Sequence, residues 1–390
     1  MRSSLANIRF FLYLCSRIIS FEYFKRDTIW KNVAMELIVK NFGPIKDAHV
    51  QTKRYNVLIG NTSTGKSVLA KLVSISYEFE FLGIQDGDYA SFVNRLKKYN
   101  IDFDLVDSTL IDITTDFAHW TITKDNLIRR INTNNEHDAI PVIDYVNANT
   151  SIYIPAERNL MSVFTNNIFS FLQSGSNIPE SIKRFGSWYE IAKGENKNLA
   201  IDFMNIKVDF TSDNDKIVLN DEGAEIRFEQ ASSGMQSIIP LWAVFLSGIS
   251  RYRRATAIIE EPELNLFPTL QVDLVNNLIA RLNQTEANIL ITTHSPYILS
   301  VLDNLIYAND VYQKSKAANN AEQIQRIEKL VNPAMMINFD DVAAYWCKDD
   351  GNVVRMNDDE MRSTGAYALD SASSITGHIF NELMDIDNEL

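Results

Sequence analysis

The 390-residue chain has only two cysteines, Cys15 and Cys347. They lack metal-binding spacing, which excludes a thiolate metal centre and a disulfide scaffold and fits a reducing cytoplasm. Basic excess is also missing. Lys and Arg number 37 against 50 Asp and Glu, a net charge of −13. This argues against a surface coated for nucleic acid, although a local basic groove is compatible with it. The apolar stretch Phe10 to Cys15 is too short to span a bilayer and is bracketed by Arg9 and Arg17. It also lacks the small-residue cleavage site of a signal peptide, so no membrane partner is expected. Internal repeats and low-complexity segments are absent. So is any long heptad array, which excludes an extended coiled-coil arm.

What remains is ordinary globular composition, 46% apolar and 22% charged. The folded part is expected to begin near Met35, which opens the strand-like Glu36-Leu37-Ile38-Val39. Residues 1–34 then read as a leader, or as an upstream start read as coding. Leu37 to Phe42 and Ala48 to Gln51 read as paired strands, Ser91 to Tyr99 as a helix, and 201–229 as alternating strands. A helical or inserted lobe is expected over about 74–200, within which Phe164, Ile168, Phe169, Phe171 and Leu172 form an apolar stripe. His137 falls in a polar loop and reads as solvated.

Gly60-Asn61-Thr62-Ser63-Thr64-Gly65-Lys66-Ser67 organises the chain. It follows the apolar run Val57-Leu58-Ile59 and precedes a helical pattern, the context of a phosphate-binding loop. Two glycines permit a tight turn whose N–H groups converge on a triphosphate, and the helix that follows adds the positive end of its dipole. Lys66 is placed to reach the outer phosphates and the Ser67 hydroxyl to ligate Mg²⁺. ATP and Mg²⁺ are the cofactors expected.

Two later strand ends complete the pattern. Ala257-Ile258-Ile259 runs into Glu260-Glu261-Pro262-Glu263, and ligands of open α/β sheets bind at that edge. Glu260 suits the metal and Glu261 the attacking water. Asn288 to Ile291 runs into Thr292-Thr293-His294-Ser295-Pro296, where His294 is placed to bond the γ-phosphate. Ser232-Ser233-Gly234-Met235-Gln236 opens another helix and reads either as an anion site or as a plain serine N-cap. After the strand Ser151 to Ile154, Glu157 and Arg158 read equally as a surface ion pair beginning a helix or as a pair near the γ-phosphate or the lobe boundary.

In this order the segments resemble an ABC-class ATPase head: GNTSTGKS as Walker A, SSGMQ as the signature, AIIEEPE as Walker B and TTHSP as the switch-histidine segment. With YIPAER at Tyr153 to Arg158, the set is similar to the OLD and RecF-like, AAA_15-type group, including short anti-phage ATPases of retron-linked and Septu type. Phe267 departs from the group, where a histidine is common. The resemblance implies an α/β P-loop NTPase fold with a mixed sheet core, an antiparallel part and a helical lobe. The head would span 35–310, and 311–390 would complete it with a closing hairpin at Asp340 to Met356.

It also implies an ATP-sandwiched homodimer in which Ser233 and Gly234 meet a γ-phosphate held by the partner's Lys66, with Asn265 beside them. The stretch after Asp310 reads as too short for a Toprim nuclease, and Asp385-Ile386-Asp387 as no nuclease site, so a separate effector such as a nuclease is expected. Three functions follow: a regulator of an effector in anti-phage defence, a RecF- or SMC-like ATPase acting on DNA in repair, or a nucleotide-binding scaffold without turnover. The intact Glu260-Glu261 pair disfavours the last.

Overall fold

The computed structural model describes residues 35–131, 149–164, 178–211, 215–219, 223–252 and 254–366. The proposed leader, His137, the stripe beyond Phe164 and Asp385-Ile386-Asp387 lie outside these residues.

The chain opens with strands β1 (Glu36–Phe42), β2 (Ile45–Gln51) and β3 (Tyr55–Gly60), then helix α1 (Lys66–Ser76). Helices α2 (Phe79–Leu82) and α3 (Tyr89–Lys98) precede strands β4 (Leu110–Thr114), β5 (Ala118–Ile122), β6 (Leu127–Ile131) and β7 (Asn149–Ile154). Next come α4 (Met161–Phe164), α5 (Glu180–Glu195) and the short strands β8 (Asn198–Ile201), β9 (Ile206–Asp209), β10 (Lys216–Leu219) and β11 (Glu225–Arg227). Helix α6 (Ser233–Arg251), β12 (Arg254–Glu260), α7 (Pro268–Leu282), β13 (Asn288–Thr293), α8 (Pro296–Ala317), α9 (Ala321–Leu330), β14 (Val342–Cys347) and β15 (Asn352–Arg355) follow.

The main sheet runs β6-β5-β4-β1-β2-β15-β14-β3-β13-β12-β7, and β8 to β11 form a separate antiparallel sheet. Strands β14, β3, β13, β12 and β7 are mutually parallel. Each is almost wholly buried, as strands are when helices cover both faces of a parallel sheet. Val57, Ile59, Ala257, Ile259, Ile289 and Ile291 share one core with residues of α6, α7 and α8. Their neighbours Leu58, Ile258 and Leu290 point to the opposite face by strand alternation, the side left to α1.

The antiparallel strands differ from the expected boundaries. Within 74–200, β4 and β5 form where Leu110 to Asp116 and Trp120 to Thr123 alternate as strands; β4 to β6 extend the main sheet beyond β1, and β7 forms its other edge. The closing hairpin exists, but it closes no edge. β14 pairs with β3 and β15 with β2, so the hairpin is wedged between two strands adjacent in sequence.

Helix α6 is the one described helix long and apolar enough to cross a membrane, yet 67% of that stretch is buried inside the fold, as expected of a core helix.

A buried ionic cluster ties α3 and α5 to the turn after α1. The Glu78 carboxylate, with no side-chain exposure, accepts from Arg95, Arg184 and Tyr99, and Arg95 also bonds Glu80 at 3.1 Å. Removing the charge of the shared carboxylate leaves Arg184 without its carboxylate partner and Arg95 with only the exposed Glu80. Glu78→Gln is expected to destabilise the protein by about 3 kcal/mol, seen as a lowered thermal midpoint by calorimetry.

Candidate functional site

Strand register brings the sequence motifs to one edge. Gly60 pairs with Cys347, Ile59 with Thr293, Thr292 with Glu260, and Ile259 with Ile154. The phosphate-binding loop, the His294 segment, the acidic turn and the Pro155 to Arg158 segment therefore leave the carboxyl ends of neighbouring parallel strands. That edge is where α/β sheets of this kind bind ligands.

The loop is shaped by close packing. A Cβ on Gly60 would lie 2.2 Å from the Cys347 carbonyl oxygen. Gly65 has φ +95°, and a Cβ there would meet Ile45 Cγ1 at 2.7 Å. Both positions therefore require glycine, one for close approach and one for its left-handed backbone. Ser63 shares the left-handed region at φ 65°. The Thr64 hydroxyl donates to the Asn61 carbonyl at 2.8 Å, and Asn61 Nδ2 donates to the Asp349 carboxylate at 3.0 and 3.1 Å. Asn61, Thr62 and Ser63 are exposed, and no side chain caps the start of α1. The first N–H groups of that helix thus remain available to an anion.

Lys66 is 5% exposed, and its Nζ donates to the Gly60 and Asn61 carbonyls at 2.9 and 2.6 Å. Burial pulls its pKa down, opposed by Cys347, Glu261, Glu263 and Glu260. The loop carbonyls hold the ammonium where phosphate oxygens can replace them.

Glu260 is buried at the end of β12. Burial pushes its carboxyl pKa up, against the opposing effects of the Ser67 hydroxyl, Lys71 and the Tyr153 hydroxyl. Its Oε2 accepts weakly from the Ala156 N–H at 3.4 Å, while Oε1 is buried without a close hydrogen-bond partner. An orphaned carboxylate oxygen beside Ser67 fits a hard divalent cation such as Mg²⁺, which takes oxygen donors from one carboxylate, a hydroxyl and phosphates.

Glu261 turns away from Glu260 through a left-handed backbone, φ 42°. Its Oε1 lies 3.1 Å from His294 Nε2. Glu263 positions the histidine from behind, accepting from Thr293 Oγ1 at 2.6 Å and from the His294 N–H at 2.7 Å. Ser295 Oγ then donates to Gln271 Oε1 at 2.8 Å, and Gln271 Nε2 to the Leu266 carbonyl at 3.1 Å.

Ser233 and Gly234 open helix α6. Ser232 is the N-cap of α6, its hydroxyl accepting from the Met235 N–H at 3.4 Å, and Ser233 is exposed. A Cβ on Gly234 would sit 3.1 Å from the Asn265 carbonyl. Among the described residues no hydrogen bond or ion pair joins Ser233 or Gly234 to the phosphate-binding loop. Asn265 is left-handed at φ 62° and Phe267 is 75% exposed.

The Glu157–Arg158 surface ion pair is absent. Glu157 is exposed and Arg158 is fully buried. The guanidinium donates to five carbonyl oxygens: Ser237 (3.2 Å), Pro155 (3.2 Å), Glu260 (2.7 Å), Glu261 (2.7 Å) and Pro262 (3.4 Å). Burial brings its pKa down to about 10 despite the neighbouring glutamates. Sequence reasoning also missed Asp349 and Glu263 as supports. Glu263 carried a signal, as the third acid after an apolar strand, whereas Asp349 carried none.

A sequence profile of the AAA_15 family, described as an AAA ATPase domain, matches residues 94–299, more than half of the chain. No curated protein gives a match. Solved structures with a similar arrangement include the SMC head domain from Thermotoga maritima, 9% identical, covering 69% of this chain and 91% of that one, with a TM-score of 0.37. An Smc head domain with an extended coiled coil, bound to the C-terminal domain of ScpA and derived from Pyrococcus furiosus, is 10% identical, covers 89% and 99%, and scores 0.42. The ADP conformation of an ATP-binding cassette of an ABC transporter is 13% identical, covers 84% and 92%, and scores 0.36. Strand order and edge geometry, rather than these scores, carry the fold: an α/β P-loop NTPase with a mixed sheet.

Proposed function

Because the chain belongs to the AAA_15 family of AAA ATPase domains, we propose that it binds ATP with Mg²⁺ and hydrolyses it to ADP and phosphate. The observation that carries this reading is the strand register that lines up Gly60, Thr293 and Glu260 across one sheet edge.

In this reading the backbone from Gly60 to Ser67 wraps the phosphates, and the Lys66 ammonium exchanges its two loop carbonyls for phosphate oxygens. Ser67 and Glu260 would hold Mg²⁺, which would supply charge neutralisation for the phosphates. Glu261 accepts a proton from the attacking water. His294 leaves its contact with Glu261 for the γ-phosphate, so the same side chain reports whether that phosphate is present.

Ser233 and Gly234 complete the site of a second copy. The exposure of Ser233, and the lack of any hydrogen bond or ion pair from Ser233 or Gly234 to the phosphate-binding loop among the described residues, support a homodimer closed by ATP. We further read the dimer as a cytoplasmic regulator of a separate effector, such as a nuclease, in anti-phage defence. This rests on the ordered motif set and the acidic balance. Affinity capture of the tagged protein with its native operon intact, followed by mass spectrometry, tests it. Recovery of a nuclease supports the reading, and recovery of repair proteins on DNA moves it to the DNA-associated alternative.

The dimer is tested by mixing variants. Gly234→Asp keeps its own Lys66 but sets a carboxylate against the partner's γ-phosphate, where like charges repel. Alone it is expected to bind ATP and turn over at a few per cent or less of wild type. Mixed with Lys66→Ala, each heterodimer has one intact composite site, so phosphate release partly recovers. A Gly234→Asp protein that hydrolyses ATP normally as a monomer at every concentration removes the composite site.

A further inference from the structure

The five carbonyl oxygens bound by Arg158 belong to three segments. Ser237 lies in the second turn of α6, the helix opened by Ser233 and Gly234. Glu260, Glu261 and Pro262 form the acidic turn. Pro155 ends β7. No other side chain among the described residues is recorded bonding both α6 and the acidic turn.

Among the described residues Arg158 forms no close ion pair, although Glu260, Glu261 and Glu263 are near enough to affect its titration. It therefore recognises main-chain geometry. A guanidinium offers five N–H donors in a rigid plane, and here that plane fixes where the carbonyls of two elements sit relative to each other. One of them, Glu261, has a left-handed backbone that a non-glycine residue adopts only when its surroundings impose it. Two donors to Glu261 and Pro262 and one to Glu260 supply that constraint.

Resting on the ATPase reading above, we infer that Arg158 is a positioning residue. It joins the second turn of α6 to the Glu260-Glu261-Pro262 turn, so that engagement of the α6 N-terminus by a partner's nucleotide sets the Glu261 carboxylate in line for hydrolysis. Arg158 touches neither phosphate nor water. It converts contact at the dimer face into geometry at the water-activating side chain, and ATP in its own loop is held independently by Lys66.

The consequence is a split between binding and turnover. Arg158→Lys keeps the charge and loses the fork, and Arg158→Met loses both. With folding verified by circular dichroism and the thermal midpoint, Arg158→Lys is expected to bind a fluorescent ATP analogue within about 3-fold of wild type. Its kcat should fall about 30-fold, in the range where a small misplacement of a reacting group costs up to about 100-fold. Arg158→Met should fall further. Adding Gly234→Asp to Arg158→Lys should cost less than it costs the wild type, because the route from α6 to Glu261 is already cut.

Unchanged kcat in Arg158→Lys, or a parallel loss of ATP affinity, overturns the inference while wild-type turnover leaves the ATPase reading standing. If neither variant folds, hydrogen exchange on the wild-type protein decides. Peptides covering 233–238 and 260–264 should gain protection at one common ATP concentration, and separate midpoints overturn the coupling. Absence of wild-type turnover would instead fail the ATPase reading itself.

Discussion

Lys66→Ala is expected to abolish ATP binding and hydrolysis together. The ammonium is buried under the loop and held by two carbonyl oxygens at 2.9 and 2.6 Å, so it is already aimed at the position the outer phosphates would take. Exchange of neutral acceptors for phosphate oxygens makes those bonds charge-assisted, the stronger kind. Alanine leaves the glycine geometry of the loop intact, because Gly60 and Gly65 owe their conformation to Cys347 and Ile45. The protein should therefore fold while affinity falls by about 100-fold or more, equivalent to roughly 2.8 kcal/mol. Titration with a fluorescent ATP analogue measures this directly. Wild-type affinity in the variant would remove the loop from nucleotide binding.

Glu261→Gln should separate the two activities. The carboxylate accepts from no backbone group in the hydrogen bonds described and meets His294 at 3.1 Å, whereas Glu260 beside it is buried with its orphaned oxygen near Ser67. An amide retains size and hydrogen bonding and cannot take a proton from water. ATP binding should persist while kcat falls about 10²–10⁴-fold, the usual contribution of a positioned general base. The variant should also accumulate the ATP-bound dimer, read as a gain in mass by light scattering with ATP and Mg²⁺. Steady-state phosphate release at the wild-type rate would reassign the base.

Much of this arrangement is legible in the sequence. Three apolar strands end in chemically distinctive residues, Gly60 to Ser67, Glu260 to Glu263 and His294, and parallel strands buried on both faces have little freedom but to bring those ends to one edge. The pairing of β1 with β2 follows from their alternation and the short turn at Gly43. What the sequence hides depends on long-range pairing. The residues of β4 and β5 alternate as strands should, but nothing local says that they extend the main sheet beyond β1. Arg158 reads as half of an ion pair because its neighbour Glu157 is acidic, and its actual partners are carbonyl groups, which carry no sequence signal. Asp349 is invisible for the same reason: its contact with Asn61 crosses 288 positions.

The wedged hairpin has a consequence for biosynthesis. During translation β2 and β3 emerge early and in succession, yet in the finished sheet two strands lie between them. Until Val342–Arg355 has left the ribosome, the strand carrying the phosphate-binding loop lacks its neighbour on one side. Both flanks of the gap then present unpaired backbone groups of the kind that invite pairing with the wrong chain. The carbonyl of Cys347 that presses on Gly60, and the carboxylate of Asp349 that grips Asn61, arrive only with that hairpin. The contacts that shape Gly60 and hold Asn61 are thereby tied to a late step of synthesis.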